Sequence, residues 1–129
     1  MEDPVALQLA EAKELTSKAG EAAKLLAALA NERRLAILCE LIEGERSVGE
    51  LVDAVGLTQS ALSQHLAKLR AAGIVATRRD AQTIFYRLAS AAASSVLATL
   101  AAIYCARRPR KTANRNSISD LKSKPKRMS

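Results

Sequence analysis

The most reactive side chains in this 129-residue sequence are the thiols of its two cysteines, Cys39 and Cys105. Together with the one histidine, His65, they are too few for a zinc cluster within one chain. Each cysteine either packs as a small hydrophobic side chain, which is common outside disulfides, or serves as a thiol that oxidants and persulfides modify. From the residues alone packing is the favoured interpretation, and the sulfur–sulfur distance stays open.

A second set of chemically useful side chains lies between Thr58 and Lys68. Leu62, Leu66 and Leu69 recur at helical spacing, so the polar residues among them project from the other sides of the helix. Hydroxyls, amides and cations are the groups that contact DNA bases and phosphates, although a solvated helix face shows the same pattern. For His65 we expect a DNA contact, with a hydrogen bond at a helix surface or junction as the alternative. The set comprises Thr58, Gln59, Ser60, Ser63, Gln64, His65 and Lys68.

The elements that must position these side chains are predicted to be mainly helices. Asn31, Thr58 and Ser90 are suitable N-cap residues, and the Ser47–Glu50 segment is a capping box that Gly56 follows as a stop. The helices are expected at 5–30 (with a break near Gly20), 32–43, 48–55, 59–72 and 91–106. In the second of these, the inward residues are expected to be Leu35, Leu38, Leu41 and Ile42.

After Gly73 the pattern changes to one typical of strands. The segments 74–79 and 83–88 are rich in β-branched and aromatic residues, and they predict a β-hairpin with 80–82 between its strands. The expected fold is therefore mainly α with a two-stranded β-wing, a winged helix-turn-helix. In the wing, Arg78, Arg79 and Gln82 are candidate DNA contacts, with Arg87 as a further cation; the alternative is an ordinary charged strand edge.

Charge is distributed unevenly, and the distribution favours a polyanionic partner. Residues 1–57 carry 11 acidic and 6 basic side chains, whereas residues 106–129 carry 9 basic side chains against Asp120. We predict a folded domain over 1–106 and a disordered basic tail over 107–129. The uncharged run 88–106 is mostly alanine and serine, so a membrane segment is not expected, and no signal peptide is evident. The lack of a signal peptide predicts a cytoplasmic protein, and the lack of a catalytic set or cofactor motif predicts that it is not an enzyme.

Residues 26–105 resemble the bacterial ArsR/SmtB repressors. The resemblance rests on the segments 26–35 (LAALANERRL), 58–66 (TQSALSQHL) and 77–86 (TRRDAQTIFY). The last of these is similar to the wing of a branch that contains the persulfide-responsive BigR/SqrR-type repressors and the nodulation repressor NolR. The family implies a homodimer, joined through its first and last helices, which binds double-stranded operator DNA and is released by a signal.

The resemblance also indicates what that signal is. Metal-sensing members carry ligands at places that read 50–53 (ELVD) and 92–95 (AASS) in this chain, so no metal site is predicted. The persulfide-sensing branch implies a cysteine pair at the positions of Cys39 and Cys105. It therefore implies a redox switch in which an oxidant or a reactive sulfur species acts as inducer. The alternatives are a repressor of the same fold without thiol sensing, as in nodulation-type members, and an architectural protein that binds DNA without sequence preference.

Overall fold

The computed structural model describes residues 7–105, which form six helices and three short strands. The predicted tail, 107–129, lies outside the described residues. The chain divides after Leu97 into two units; of the second, residues 98–105 are described, and they form the end of the last helix and Cys105. The elements are α1 (Leu9–Ser17), α2 (Ala19–Leu29), α3 (Glu32–Leu41), β1 (Arg46–Ser47), α4 (Val48–Val55), α5 (Gln59–Ala71), β2 (Val75–Asp80), β3 (Thr83–Leu88) and α6 (Ala91–Tyr104).

The first predicted helix is two helices, and the break predicted near Gly20 falls at Lys18, two residues earlier. The hydroxyls of Thr16 and Ser17 donate to the carbonyls of Ala12 and Glu14, at 3.0 and 2.7 Å. Hydroxyl-to-carbonyl bonds of this kind bend helices, which accounts for the position of the break.

The core of the first unit is built from leucine and isoleucine side chains of α2 to α5, closed by the start of β2 and of α6. The prediction that Ile42 points inward was wrong, because α3 ends at Leu41 and Ile42, its C-cap residue, is 53% exposed. Ile37 faces the core instead, and Leu35 packs against it partly buried. The buried residues are Leu29, Ile37, Leu38, Leu41, Leu51, Leu62, Leu66, Leu69, Ile74, Val75, Ala93 and Leu97.

The predicted hairpin is present, with Val75 opposite Leu88 and Asp80 opposite Thr83. Ala81 and Gln82 form its turn, and Ala81 has a left-handed backbone with φ 60°. The sheet has a third strand that pattern reading missed, because β1 pairs with the other edge of β3 and gives the order β1-β3-β2. β1 has only two residues, so it carries no alternating pattern that could be recognised.

Residues 7–105 also lack two features that the sequence did not predict, a membrane-spanning helix and a metal-binding cluster. None of the helices within residues 7–105 is long and apolar enough to cross a membrane. Over the same range, no group of three or more His, Cys, Asp or Glu side chains could hold a metal ion.

Candidate nucleic-acid interface

α4 and α5 form two capped helices joined by a short turn, as predicted. The Ser47 hydroxyl accepts from the Glu50 N–H at 3.1 Å, and Glu50 Oε1 accepts from the Ser47 N–H at 2.8 Å. Gly56 ends α4 with φ 73°, a left-handed conformation that glycine adopts without strain. Thr58 Oγ1 then accepts from the Ala61 N–H at 3.1 Å and starts α5. These caps determine where α4 ends and where α5 begins.

α5 buries one side and presents the other. Leu62, Leu66 and Leu69 are at most 1% exposed, so they hold the helix against the core. The predicted DNA-contacting residues lie at the N-cap and on the sides of α5 outside this buried stripe, and all of them are exposed: Thr58, Gln59, Ser60, Ser63, Gln64 and Lys68. The first turn of α5 contains no acidic residue, so its unpaired N–H groups keep their attraction for anions. The exposed residues therefore combine amides, a group suited to base edges, with groups that suit phosphate.

His65 is placed differently from the rest of that set. Its ring is half-buried, and Nδ1 lies 3.5 Å from Nη1 of Arg34 on α3. Burial lowers the pKa of His65 below its usual value, and the positive charges of Arg34, Lys68 and Arg33 lower the pKa further. This geometry is that of the helix-junction hydrogen bond, the alternative to a DNA contact.

The two arginines of the wing point to opposite faces of the hairpin. Val75 and Tyr86 belong to the face packed on the core, and alternation places Arg79 on that face near the wing tip and Arg78 on the other. Arg78 donates to both carboxylate oxygens of Glu45, at 2.9 and 3.0 Å, and lies 4.7 Å from the centre of the Phe85 ring. The hydrogen bond from Arg78 lowers the pKa of Glu45 and raises that of Arg78.

Both cysteines have exposed side chains and neither is in a disulfide. The interpretation that they are small buried hydrophobic residues is therefore wrong for both. Cys39 lies on α3 in the first unit, and Cys105 directly follows α6 in the second. Exposure is what a thiol needs in order to meet an oxidant or a persulfide.

The sequence pattern named "Bacterial regulatory protein, arsR family" matches residues 31–77, which run from the cap of α3 into β2. The transcriptional activator HlyU of Vibrio cholerae is 50% identical over 93 residues, which span 72% of this chain and 86% of HlyU. The chain belongs to the ArsR family. Nodulation protein NolR of Rhizobium meliloti is 55% identical over 83 residues, 64% of this chain and 68% of NolR. The crystal structure of the transcriptional repressor BigR from Xylella fastidiosa has a TM-score of 0.70 at 45% identity, covering 74% of this chain and 97% of BigR.

These matches confirm the resemblance to the ArsR family and the winged helix-turn-helix fold. The protein is a transcriptional regulator of the ArsR family, whose members bind operator DNA. HlyU is named as an activator and BigR as a repressor, so both kinds of regulator occur among the relatives of this chain.

Two residues that shape this ArsR-family site were missed by sequence reading, namely Arg34 and Glu45. Arg34 stands 31 positions from His65 and Glu45 stands 33 positions from Arg78. No local period connects residues so far apart in sequence. For Glu45 a chemical signal was available, because a carboxylate in the α3–β1 loop pairs well with an arginine; for Arg34 the sequence carried no such signal.

Proposed function

We propose that a homodimer of this chain acts as a repressor on a pseudo-palindromic operator, with α5 in the major groove and the wing beside it. The observation that carries the proposal is the exposed surface of α5, where hydroxyls and amides lie outside the stripe of buried leucines. In helix-turn-helix proteins the second helix enters the major groove with its N-terminal residues on the base edges. Two copies then contact half-sites about one DNA turn apart.

Each exposed residue has a role that follows from its chemistry. Gln59, Ser63 and Gln64 read base edges. Amides form bidentate pairs with adenine, and hydroxyls form hydrogen bonds with donors or acceptors on the base edges. Thr58, Ser60 and Lys68 contact phosphates at the start and the rim of α5. In the wing, Arg79 and Gln82 approach the backbone, whereas Arg78 holds the wing through Glu45.

The homodimer is supported by exposed apolar side chains at both ends of the described chain. Leu7, Leu9 and Leu15 are exposed in and before α1, as are Ile103 and Tyr104 at the end of α6. Burying such side chains stabilises an association by roughly 25 cal/mol per Å² of apolar surface. Light scattering should report a dimer, and Leu9→Glu together with Ile103→Glu should convert it to a folded monomer.

The experiment that tests DNA reading compares two duplexes, one selected by the protein from a random library and one of unrelated sequence. Replacing Gln59, Ser63 or Gln64 by Ala should reduce the preference for the selected duplex by about 1–3 kcal/mol wherever a base contact is lost. Lys68→Ala is the matched control and should weaken both duplexes alike. An equal loss on both duplexes for all three variants contradicts base reading by α5. A wild type without any preference indicates the architectural alternative.

We also propose that Cys39 and Cys105 form the switch that releases the operator. A cysteine thiolate attacks the outer sulfur of a low-molecular-weight persulfide. That sulfur is transferred, so the cysteine becomes a persulfide and the rest of the donor leaves as a thiol. The second cysteine thiolate then attacks the inner sulfur and expels hydrogen sulfide. Two protein thiols and one persulfide thus give one disulfide, one thiol and one hydrogen sulfide. The exposure of both side chains supports this chemistry.

The switch is tested by operator binding before and after a persulfide donor, followed by a reductant. Wild type should lose affinity reversibly, while Cys39→Ser and Cys105→Ser stay bound. A near-complete release requires the bridge to favour the free state by about 5.5 kcal/mol, or ~10⁴-fold. If both serine variants respond like wild type, the thiols are not the sensor and the regulator is of the non-thiol type.

A further inference from the structure

Arg34 connects three helices of the first unit. Its Nε donates to the carbonyl of Ala28 at 2.7 Å, and Nη2 reaches the carbonyl of Ala27 at 3.4 Å, both at the C-terminal end of α2. Carbonyls at a helix end lack partners within the helix and carry partial negative charge, so a guanidinium is well placed there. The remaining nitrogen, Nη1, faces His65 Nδ1 on α5 at 3.5 Å.

The protonation of His65 follows from its partner. Arginine can only donate hydrogen bonds, so a hydrogen bond in this contact requires Nδ1 to accept, which is the neutral imidazole with its proton on Nε2. The charged groups that act on His65 are Arg34 and Arg33 from α3 and Lys68 from α5. Burial and these three cations all lower the pKa of His65, which favours the neutral form that the contact needs.

We propose that Arg34 is a positioning residue for sequence reading, because it joins the end of α2 to His65 and so fixes the rotation of α5 about its axis. Gln64 and His65 are neighbours on α5, so any rotation that frees His65 also moves the Gln64 amide. The inference rests on the proposed function of α5 and adds that its orientation is set by a contact outside the DNA-facing surface.

A pH dependence follows, and its sign separates this role from a direct DNA contact. Protonation of Nδ1 would place two positively charged hydrogen-bond donors, the imidazolium and the Arg34 guanidinium, against each other. The contact is therefore lost as pH falls through the pKa of His65. Between that pKa and the ordinary value of about 6.5, the unfolded chain binds more protons than the native one. Stability and sequence preference therefore decrease on acidification. A His65 that contacts phosphate as an imidazolium would instead bind DNA more tightly on acidification.

The contact is tested without DNA by NMR, since the chain has one histidine and its imidazole signals are unambiguous. We expect the proton on Nε2 and a pKa below about 6.5. Arg34→Gln should raise the pKa of His65 and remove the preference for the tautomer with its proton on Nε2. Arg33→Gln, which removes the same charge from the adjacent exposed residue, should raise the pKa less and leave the tautomer unchanged. Equal effects of both variants, or a proton on Nδ1, would overturn the contact.

Positioning is tested by the ratio of affinities for the selected and unrelated duplexes between about pH 5 and 8. Arg34→Gln should lower this ratio about three- to tenfold, Arg34→Lys should recover part of it, and Arg33→Gln should leave it unchanged. His65→Asn, which keeps an acceptor but does not titrate, should remove the acid sensitivity. A selective wild type whose ratio survives Arg34→Gln overturns the positioning role, whereas an unselective wild type refutes the proposed function of α5 itself.

Discussion

The two wing arginines are adjacent in sequence, yet the structure predicts that only Arg79 contributes to DNA affinity. Within residues 7–105, both ion pairs involve Arg78, with Glu45 at 2.9 Å and Asp80 at 3.9 Å. Its guanidinium also lies over Phe85, so Arg78 already has carboxylate and aromatic partners. A phosphate would have to displace Glu45, whose own charge repels DNA. Arg79 lies on the opposite face of the hairpin and is exposed.

The magnitude follows from counterion release. Each phosphate contact contributes about 0.9 to the slope of log affinity against log salt, so Arg79→Gln should lower the slope by about 1.8 in a dimer with two wings. Between about 50 and 200 mM salt, wild type should therefore lose about twelvefold more affinity than Arg79→Gln. Arg78→Gln should leave the slope unchanged and lower the midpoint of thermal unfolding slightly.

The assay is fluorescence anisotropy of a labelled duplex over a salt series, with Glu45→Gln as a further variant. Removing that carboxylate should release Arg78 to the phosphates and make the slope steeper than in wild type. Acid should act in the same direction on the wing: the pKa of Glu45 is lowered by Arg78, so the ion pair is complete above the ordinary pKa and is lost as pH falls through the lowered one. If Arg78→Gln reduces the slope as much as Arg79→Gln, the reasoning from the ion pair is refuted.

Two further predictions concern the tail and the core. Deleting residues 107–129, which carry nine cations, should lower the salt slope and weaken selected and unrelated duplexes to a similar degree; an unchanged slope would mean that the tail does not contact phosphate. Leu66→Ala, at a site 1% exposed, should cost about 2–5 kcal/mol in urea unfolding, whereas Ser63→Ala on the opposite side of α5 should stay within about 0.5 kcal/mol. Comparable losses for the two variants would contradict the division of α5 into a buried and a presented face.

Local signals predicted the helix-turn-helix closely, because its boundaries are set by neighbouring residues. The Ser47 capping box, the left-handed Gly56 and the Thr58 cap each act within four residues, and all three are where the sequence placed them. Prediction was less accurate where the structure depends on contacts between elements that are distant in sequence. Ile42 has the right spacing for the apolar stripe of α3, but the helix ends before it. β1 exists only because β3 offers it an edge.

The candidate site shows the same division, and it changes how basic residues are counted. Two of the chain's three adjacent arginine pairs, Arg33–Arg34 and Arg78–Arg79, lie within the described residues, and composition treats them as four equal contributions to a DNA-attracting charge. In each pair one guanidinium is held by the protein: Arg34 by the carbonyls of α2 and by His65, and Arg78 by Glu45. Side chains alternate between the two faces of β2, so Arg79 points to the other face from Arg78. In α3, successive residues point in different directions around the helix, so Arg33 points away from the contacts of Arg34. Arg34 therefore fixes α5 and Arg78 fixes the wing, while Arg33 and Arg79 supply charge. The net charge thus overstates how many cations contact phosphate. It also does not show that two of these cations hold the elements that read DNA.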